Sequence, residues 1–347
     1  MKTVLRDLAR DCGQAGAMND LDYFMARPQI RKKTPHIVSM SGAGLGTREM
    51  DATVLLYEHH LGGHGMRIFA TDDTTGRRTL VSPAPMRASF ALKACRALLD
   101  RGAQTILISF RHNDAKVDPS LEQVLRGADC SCRWASRERE IAGYLALEPT
   151  VEATLALLGT RTRNHLRYYR RRAENQLGAR FVPEARITRE DFIAMNRICA
   201  YAATDEVAAS RYDLLGRLDS PILYGMADRD GRWLSLIGGR HCEGNMEMYW
   251  QMNRDDVPSQ SLGTAMRAML IEHEVQSGSR RMYLEGGTTH SMSHAFVTEK
   301  VTDLIVMRQS PLTRIIPGLL KKFLPPENML LQVLEDSTLT WRSIARA

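Results

Sequence analysis

The 347-residue sequence contains no window near the ~18 uninterrupted apolar residues that a membrane-spanning helix needs. Its opening residues, Met1-Lys2-Thr3-Val4-Leu5-Arg6-Asp7, lack the long apolar segment of a secretory signal. A membrane-spanning or secreted protein is therefore not expected, and the cytoplasm is the expected location. Cysteine is sparse and badly spaced for metal. Cys12, Cys95, Cys130, Cys132, Cys199 and Cys242 form no Cys-x-x-Cys pair, and Cys130-Ser131-Cys132 has no partner pair nearby. Reduced thiols and no bound metal are expected. Gly 25 and Pro 13 are ordinary counts, which removes collagen-like and Pro-rich linker readings.

What remains is 44% apolar and 25% charged, enough to build a sizeable core over about two domains. The formal charge is +7, and arginine supplies the excess. Guanidinium groups suit bidentate phosphate contacts, so nucleic acid, an anionic membrane surface or a polyphosphate are the partner classes to weigh. The run Ser41-Gly42-Ala43-Gly44-Leu45-Gly46 lacks the Lys-Ser/Thr of a P-loop and the Gly-x-Gly-x-x-Gly spacing, and it reads as a turn.

Two stretches share one order of elements. Residues 66–83 read as a hairpin turning at 72–77, followed by a helix over 88–99, Gly102 and a strand over 105–110. Residues 222–238 read as a hairpin turning at 228–232, followed by a helix over 264–276, Gly278 and a strand over 281–284. Glycine just past a helix is the expected stop signal. The repetition suggests an internal duplication. The second copy inserts residues 240–260, which carry a further strand, 246–252, that the first copy is expected to lack. Between the copies, Leu158, Thr162, Leu166, Tyr169, Ala173 and Leu177 form a helical stripe flanked by Arg163, Arg167 and Arg170. Near the C-terminus Leu312, Ile315, Ile316, Leu319, Leu320, Phe323 and Leu324 recur at helical spacing. Pro317 is expected near a helix start, and Pro325-Pro326 beyond the end.

The sharpest motif is Gln260-Ser261-Leu262-Gly263-Thr264-Ala265, set between the strand over 246–252 and the helix over 264–276. A helix start leaves backbone N–H groups unpaired at the positive end of the dipole, which suits a pyrophosphate. Gln-x-x-Gly-x-Ala in this setting resembles the acyl-CoA pyrophosphate signature of GNAT N-acyltransferases, and Gly278 with Met282-Tyr283-Leu284-Glu285 fits the continuation. Arg161-Thr162-Arg163-Asn164-His165-Leu166-Arg167 is similar to a segment of the tandem, Fem-like branch. That branch includes peptidoglycan aminoacyltransferases and acetyltransferases of polysaccharide gene clusters. The likeness spans roughly residues 60–310 and is tightest over 158–300.

The resemblance implies an α/β fold with a mixed α+β sheet: a tandem GNAT-like acyl-CoA N-acyltransferase fold with a degenerate first copy. The expected division is a lead-in over 1–34, the degenerate domain over 35–155, the acyl-CoA-binding domain over 156–310 and a helical tail over 311–347. Acetyl-CoA or another acyl-CoA would be the co-substrate, its pyrophosphate held by Gln260, Gly263, Thr264 and Ala265. Gln251, Met252 and Asn253 would line the thioester. Glu247, on the same strand, is the candidate base for the acceptor amine. The segment after Leu284 lacks the tyrosine that such enzymes place as acid, so His290 is the candidate proton donor, with His294 or water as the alternatives.

Arg163 and Arg167 read three ways: a solvated face, a rim for CoA phosphates or an anionic acceptor, or a contact for the acceptor end of a tRNA. The C-terminal stripe, with Arg314, Lys321 and Lys322, is expected to dock on the core, with peripheral membrane contact as the other reading. The expected activity is transfer of an acyl group, acetyl first, to an amine of a sugar, amino acid or lipid precursor. The alternatives are an aminoacyl-tRNA-dependent transferase and a non-catalytic basic module for nucleic acid or anionic membrane.

Overall fold

The computed structural model describes residues 33–40, 52–61, 64–71, 80–82, 86–111, 122–126, 128–218, 220–242, 244–257, 261–284, 292–323 and 328–345. Residues 1–32 of the expected lead-in over 1–34, the glycine run 41–46, the turn 72–77, Gln260 and His290 lie outside them. In chain order the elements are β1 (Lys33–Met40), β2 (Ala52–Leu61), β3 (His64–Ala70), β4 (Leu80–Val81), α1 (Arg87–Asp100), β5 (Thr105–Arg111), α2 (Glu122–Arg126) and β6 (Cys132–Ala146). They continue with α3 (Val151–Ala156), α4 (Thr160–Leu177), β7 (Arg180–Val182), α5 (Arg189–Arg197), α6 (Asp205–Leu215), β8 (Pro221–Ala227), β9 (Trp233–Cys242) and β10 (Asn245–Asn253). The last are α7 (Leu262–Gln276), β11 (Arg281–Leu284), β12 (Val297–Arg308), α8 (Pro311–Phe323), α9 (Met329–Glu335) and β13 (Arg342–Ile344).

The chain divides into two compact units, Met1–Ile141 with Glu299–Ala347, and Ala142–Thr298. The boundaries expected at 155/156 and 310/311 are thus corrected. β12 and the helical tail return to the first unit because β12 pairs with β5, Leu304 facing Ile108 and Val306 facing Ile106. β6 starts in the first unit, where Cys132 pairs with Ile344, and its end serves the second, where Leu145 pairs with Met282.

In the first unit the strand order is β1-β2-β3-β5-β12-β6. β1, β2 and β3 run antiparallel in turn, and β3 then pairs parallel with β5 through α1. The second unit repeats this: β8, β9 and β10 are antiparallel, and β10 pairs parallel with β11 through α7. A parallel neighbour needs a crossover, and the helix supplies it. Gly102 and Gly278, at φ 92° and 78°, end the two crossovers in the backbone region that favours glycine.

The duplication is therefore real, but its register differs from the reading above. The hairpin expected over 66–83 does not form. β3 and β4 both lie against β2, with Tyr57 opposite Ala70 and Val54 opposite Leu80. β3 and β4 thus share β2 as neighbour and are not paired with each other among the described residues. The third strand expected to be missing from the first copy is present as β3.

The parallel pair of the first unit ends on a side-chain rung. Beyond Ala70 and Leu107, the Thr71 N–H donates to the Leu107 carbonyl at 2.9 Å. The Thr71 hydroxyl in turn accepts from the Ser109 N–H at 2.9 Å. A side chain thus continues the ladder after the strand has stopped. Nearby, Asp303 is fully buried and accepts from Ser109 Oγ at 2.7 Å, Arg137 Nε at 2.9 Å and Arg139 Nε at 2.8 Å. Arg137 also reaches Asp336 at 3.0 Å, so two guanidinium groups meet two carboxylates.

α8 begins at Pro311 and carries Pro317 in its interior, a correction to the expected start at Pro317. Pro317 cannot donate to the carbonyl four residues back, and Gly318 follows it. Ile316 and Leu320 are buried with Ile68, Leu107 and Ile305, so this face of the helix docks on the core of its own unit. Among the described residues no helix is long and apolar enough to cross a membrane. Cys95, Cys130 and Cys132 are buried free thiols, and Cys199 and Cys242 are free as well.

Breaking a buried ion pair from one side leaves an uncompensated charge, at a cost of about 3–5 kcal/mol. Asp303→Ala should lose stability of that order in urea unfolding. A loss under about 1 kcal/mol would show that water reaches Arg137 and Arg139.

Candidate functional site

In the second unit, the described pairing of β10 with β11 runs from Asn245 to Met248, opposite Arg281 to Leu284. Directly afterwards a bulge at Tyr249 shifts the pairing with β9, so that Met248 faces Gly239 and Trp250 faces Gly238. A bulge bends its strand and re-aims the side chains beyond it. The β11-side edge of residues 249–253 then has no described strand partner. Gly238 and Gly239 make the bulge possible. A Cβ on Gly239 would fall 1.9 Å from the Glu247 carbonyl oxygen, and one on Gly238 would lie 2.0 Å from the Trp250 ring.

The re-aimed end of β10 meets the start of α7. Thr264 and Ala265 both donate backbone N–H to the Ser261 carbonyl at 3.0 Å. The Ser261 hydroxyl pairs with that of Thr264 at 2.7 Å and does not cap the helix. The N–H groups of Leu262 and Gly263 have no acceptor among the described residues, and the first turn holds no acid. Gln251 Nε2 donates to Asn253 Oδ1 at 3.0 Å and to the Gly263 carbonyl at 3.3 Å. Asn253 Oδ1 also accepts from Ser235 Oγ at 2.8 Å. Met252 points to the other face and is buried.

One turn along α7 lies Arg267, four residues after Gly263. Its Nε donates to Gln251 Oε1 at 3.1 Å, and among the described residues no carboxylate pairs with it. Burial pulls its pKa down to about 10, which leaves it charged at neutral pH. A partly buried cation without a counter-ion is costly, and an anionic ligand removes that cost. Two free amides, a helix dipole and this guanidinium converge on one corner. It can hold an anion.

On the opposite face of β10, Glu247 accepts from Arg240 Nε at 2.8 Å and from the Tyr249 hydroxyl at 3.0 Å. Arg240 is fully buried. Trp250, on the same face, packs edge-on to Phe192 of α5 at 5.1 Å, and its buried indole N–H has no described acceptor.

No family model matches the chain, and no curated protein matches it. Solved structures do. L-PGS from Bacillus licheniformis aligns over 92% of this chain and 96% of its own, with TM-score 0.50 and 10% identity. FemX aligns over 82% of this chain and 95% of its own, with TM-score 0.50 and 10% identity. A conserved protein of unknown function from Bacteroides thetaiotaomicron covers 84% and 90%, with TM-score 0.50 and 11% identity. The chain shares the fold of L-PGS and FemX, a mixed α/β fold built here from two like units.

Within this fold, Gln251, Asn253, Gly263, Thr264 and Ala265 gather at the α7 corner. Glu247 lies on the far side of the same strand, held by Arg240. Arg163 carries no side-chain partner among the described residues, whereas Arg167 is paired with Glu152 and Arg170 with Glu174 and Glu272. His294 Nε2 accepts the Gly159 N–H at 3.1 Å and so caps α4. Arg267 escaped the sequence reading, although an arginine four residues after the motif glycine falls on the same face of the helix. The Gly238-Gly239 pair and Arg240 also escaped it, since close backbone approach and ion pairing across a bulge leave no periodic trace.

At the other end of α7 a second polar cluster closes the unit. Glu274 is fully buried and accepts from Tyr224 at 2.7 Å and from Ser279 Oγ at 2.5 Å. His241 Nε2 lies 2.9 Å from the same carboxyl. Burial pushes Glu274 up, but the bonds from His241, Ser279 and Tyr224, with the His241 charge, outweigh it and leave its pKa lowered. The Glu274 bond raises His241 against the opposing effect of burial.

A raised histidine stabilises the fold below its ordinary value, 6.5, and loses that contribution as pH climbs through the folded value. A lowered carboxyl contributes above its ordinary 4.5 and loses that contribution as pH falls. The thermal midpoint of the parent protein should therefore exceed that of His241→Gln by most at about pH 5–6, and the gap should narrow on the alkaline side. A gap that does not vary from about pH 5 to 9 would refute the linkage.

Proposed function

We propose that this protein is an acyltransferase whose donor carries a diphosphate, acyl-CoA, and whose acceptor is an amine. The observation that carries the reading is the uncompensated Arg267 beside the free amides of Leu262 and Gly263. The tandem GNAT-like frame supports it, because the anion corner falls at the helix that follows the bulged strand. Acetyl is the proposed acyl group, and a sugar, amino acid or lipid precursor the proposed acceptor class.

In this reading Gln260, Gly263, Thr264 and Ala265 hold the pyrophosphate together with Arg267, and Gln251 keeps the guanidinium aimed. The thioester lies along β10 beyond its bulge, near residues 251–253. Glu247 accepts the proton of the attacking amine, and Arg240 and Tyr249 hold its carboxylate in place. His290 is the proposed donor to the departing thiol, and Arg163 is proposed to face an anionic part of the acceptor. Arg167, tied to Glu152, is available for that role only if the pair opens. The α4 arginines therefore lend the tRNA-dependent alternative less support than the bare sequence does.

Calorimetric titration with acetyl-CoA tests the reading. Wild-type protein should bind one equivalent. Gly263→Glu should abolish binding, because it sets a carboxylate where the phosphates lie. Arg267→Gln should weaken it by about tenfold or more, the scale of one charge-assisted hydrogen bond. Absence of binding by the wild type, or full affinity in both variants, would refute the donor assignment.

A further inference from the structure

The positive surplus of the chain is concentrated on one helix. α4 carries Arg161, Arg163, Arg167, Arg170, Arg171 and Arg172 against one acid of its own, Glu174. Neighbouring elements offset part of this charge. Glu152 of α3 pairs with Arg167, and Glu272 of α7 joins Glu174 on Arg170. The turn at 228–232 packs on the end of the helix, where Gly178 abuts Arg229, and its Asp228, Arg229, Asp230 and Arg232 cancel one another. Six arginines against three carboxylates leave a surplus of three on α4, in a chain whose formal total is +7.

The helix cannot turn this charge inward. Leu166 and Ala173 are buried in the core they share with Ala265 and Met269 of α7, which fixes the inner stripe. Arg161 and Arg171 are exposed and Arg163 is half-buried, and none of the three meets a carboxylate among the described residues. At ~1.5 Å of rise per residue, Arg161 and Arg171 stand about 15 Å apart along the axis. Between them Tyr168 is 54% exposed. Its ring lies edge-on to Tyr169 at 5.1 Å, and its hydroxyl accepts from Arg172 Nη1 at 3.3 Å. Leu157, at the corner before α4, is 43% exposed.

The acids set among the arginines discriminate between two kinds of polyanion. A nucleic acid brings phosphates at fixed intervals, so a strand laid along α4 sets some of them against Glu152 or Glu174. A fluid bilayer redistributes its anionic lipids around the cations and leaves the acids uncovered. Its headgroup layer also accepts an aromatic hydroxyl and an aliphatic chain beside guanidinium groups, the mixture that Tyr168, Leu157 and the arginines present.

We propose that the outer face of α4 docks on an anionic lipid surface, with Arg161, Arg163 and Arg171 on its phosphates and Tyr168 in its headgroup layer. The inner stripe stays packed on α7, so the protein adsorbs without inserting the helix. Each basic residue near such a surface contributes about fivefold in affinity, so a surplus of three gives roughly a hundredfold over a neutral surface. This docking face does not rest on the acyl-transfer reading.

The test is co-sedimentation of the full-length protein with vesicles of phosphatidylcholine, alone or with about 30% phosphatidylglycerol. The mixed vesicles should bind at least tenfold tighter, and about 1 M salt should abolish the difference. Arg161→Glu combined with Arg171→Glu, both at exposed positions, should remove the preference while the thermal midpoint stays unchanged. Tyr168→Ala should weaken binding about threefold and leave its salt dependence as it was. Three results would overturn the proposal: equal binding to the two kinds of vesicle, full binding by the double variant, or displacement of the mixed vesicles by bulk tRNA at equal phosphate concentration. Loss of binding in Ile315→Glu with Lys322→Glu, and not in the α4 variants, would move the contact to α8.

Discussion

A bulge in the third strand of the second unit is the feature on which its candidate site depends. At Tyr249 the ladder between β10 and β9 slips by one residue, so the residues beyond it are aimed anew. The bulge in turn requires two adjacent residues without side chains on β9, since any Cβ at Gly239 would collide with backbone. Everything downstream follows from the altered course of the strand. Gln251 and Asn253 turn toward α7, Gln251 braces Gly263, and Arg267 is held over a helix start that has no acid of its own. The brace on Gly263 and the held guanidinium thus arise from one local irregularity, not from separate devices.

The same strand serves two faces. On one side its amides brace the anion corner, and on the other Glu247 is clamped by Arg240 and Tyr249. Alternation along a strand puts neighbouring residues on opposite surfaces, so the groups proposed to hold a donor and to receive a proton are separated by the thickness of a single sheet. Fixing Glu247 through a fully buried arginine makes its position rigid, which suits a group that must meet a substrate at one distance.

The sequence made the crossover helices legible. Gly102 and Gly278 mark true left-handed stops, and the expected helices match α1 and α7 to within a residue or two at each end. The anion corner was legible for the same reason: glycine, small residues and a helix start are local signals. Pairing partners were not. The Asp/Gly-rich segment after Thr71 looks like a hairpin turn, yet β3 and β4 share one neighbour, a non-local choice that composition cannot announce. The return of β12 to the first unit was hidden likewise, because it depends on contacts between residues about 200 positions apart, such as Ser109 and Asp303. Arg240, Arg267 and Glu274 were missed because a charged residue inside an amphipathic element looks like solvent-facing decoration until its surroundings are known.

Thr71 lengthens the parallel pair of the first unit without lengthening its strand. Its hydroxyl supplies a rung that keeps β3 and β5 joined beyond Ala70 and Leu107. A threonine at that position lets one residue serve both ladders, its own N–H holding Leu107 while its side chain holds Ser109. Replacing the hydroxyl would therefore free the tip of β5 while leaving the strand before it intact.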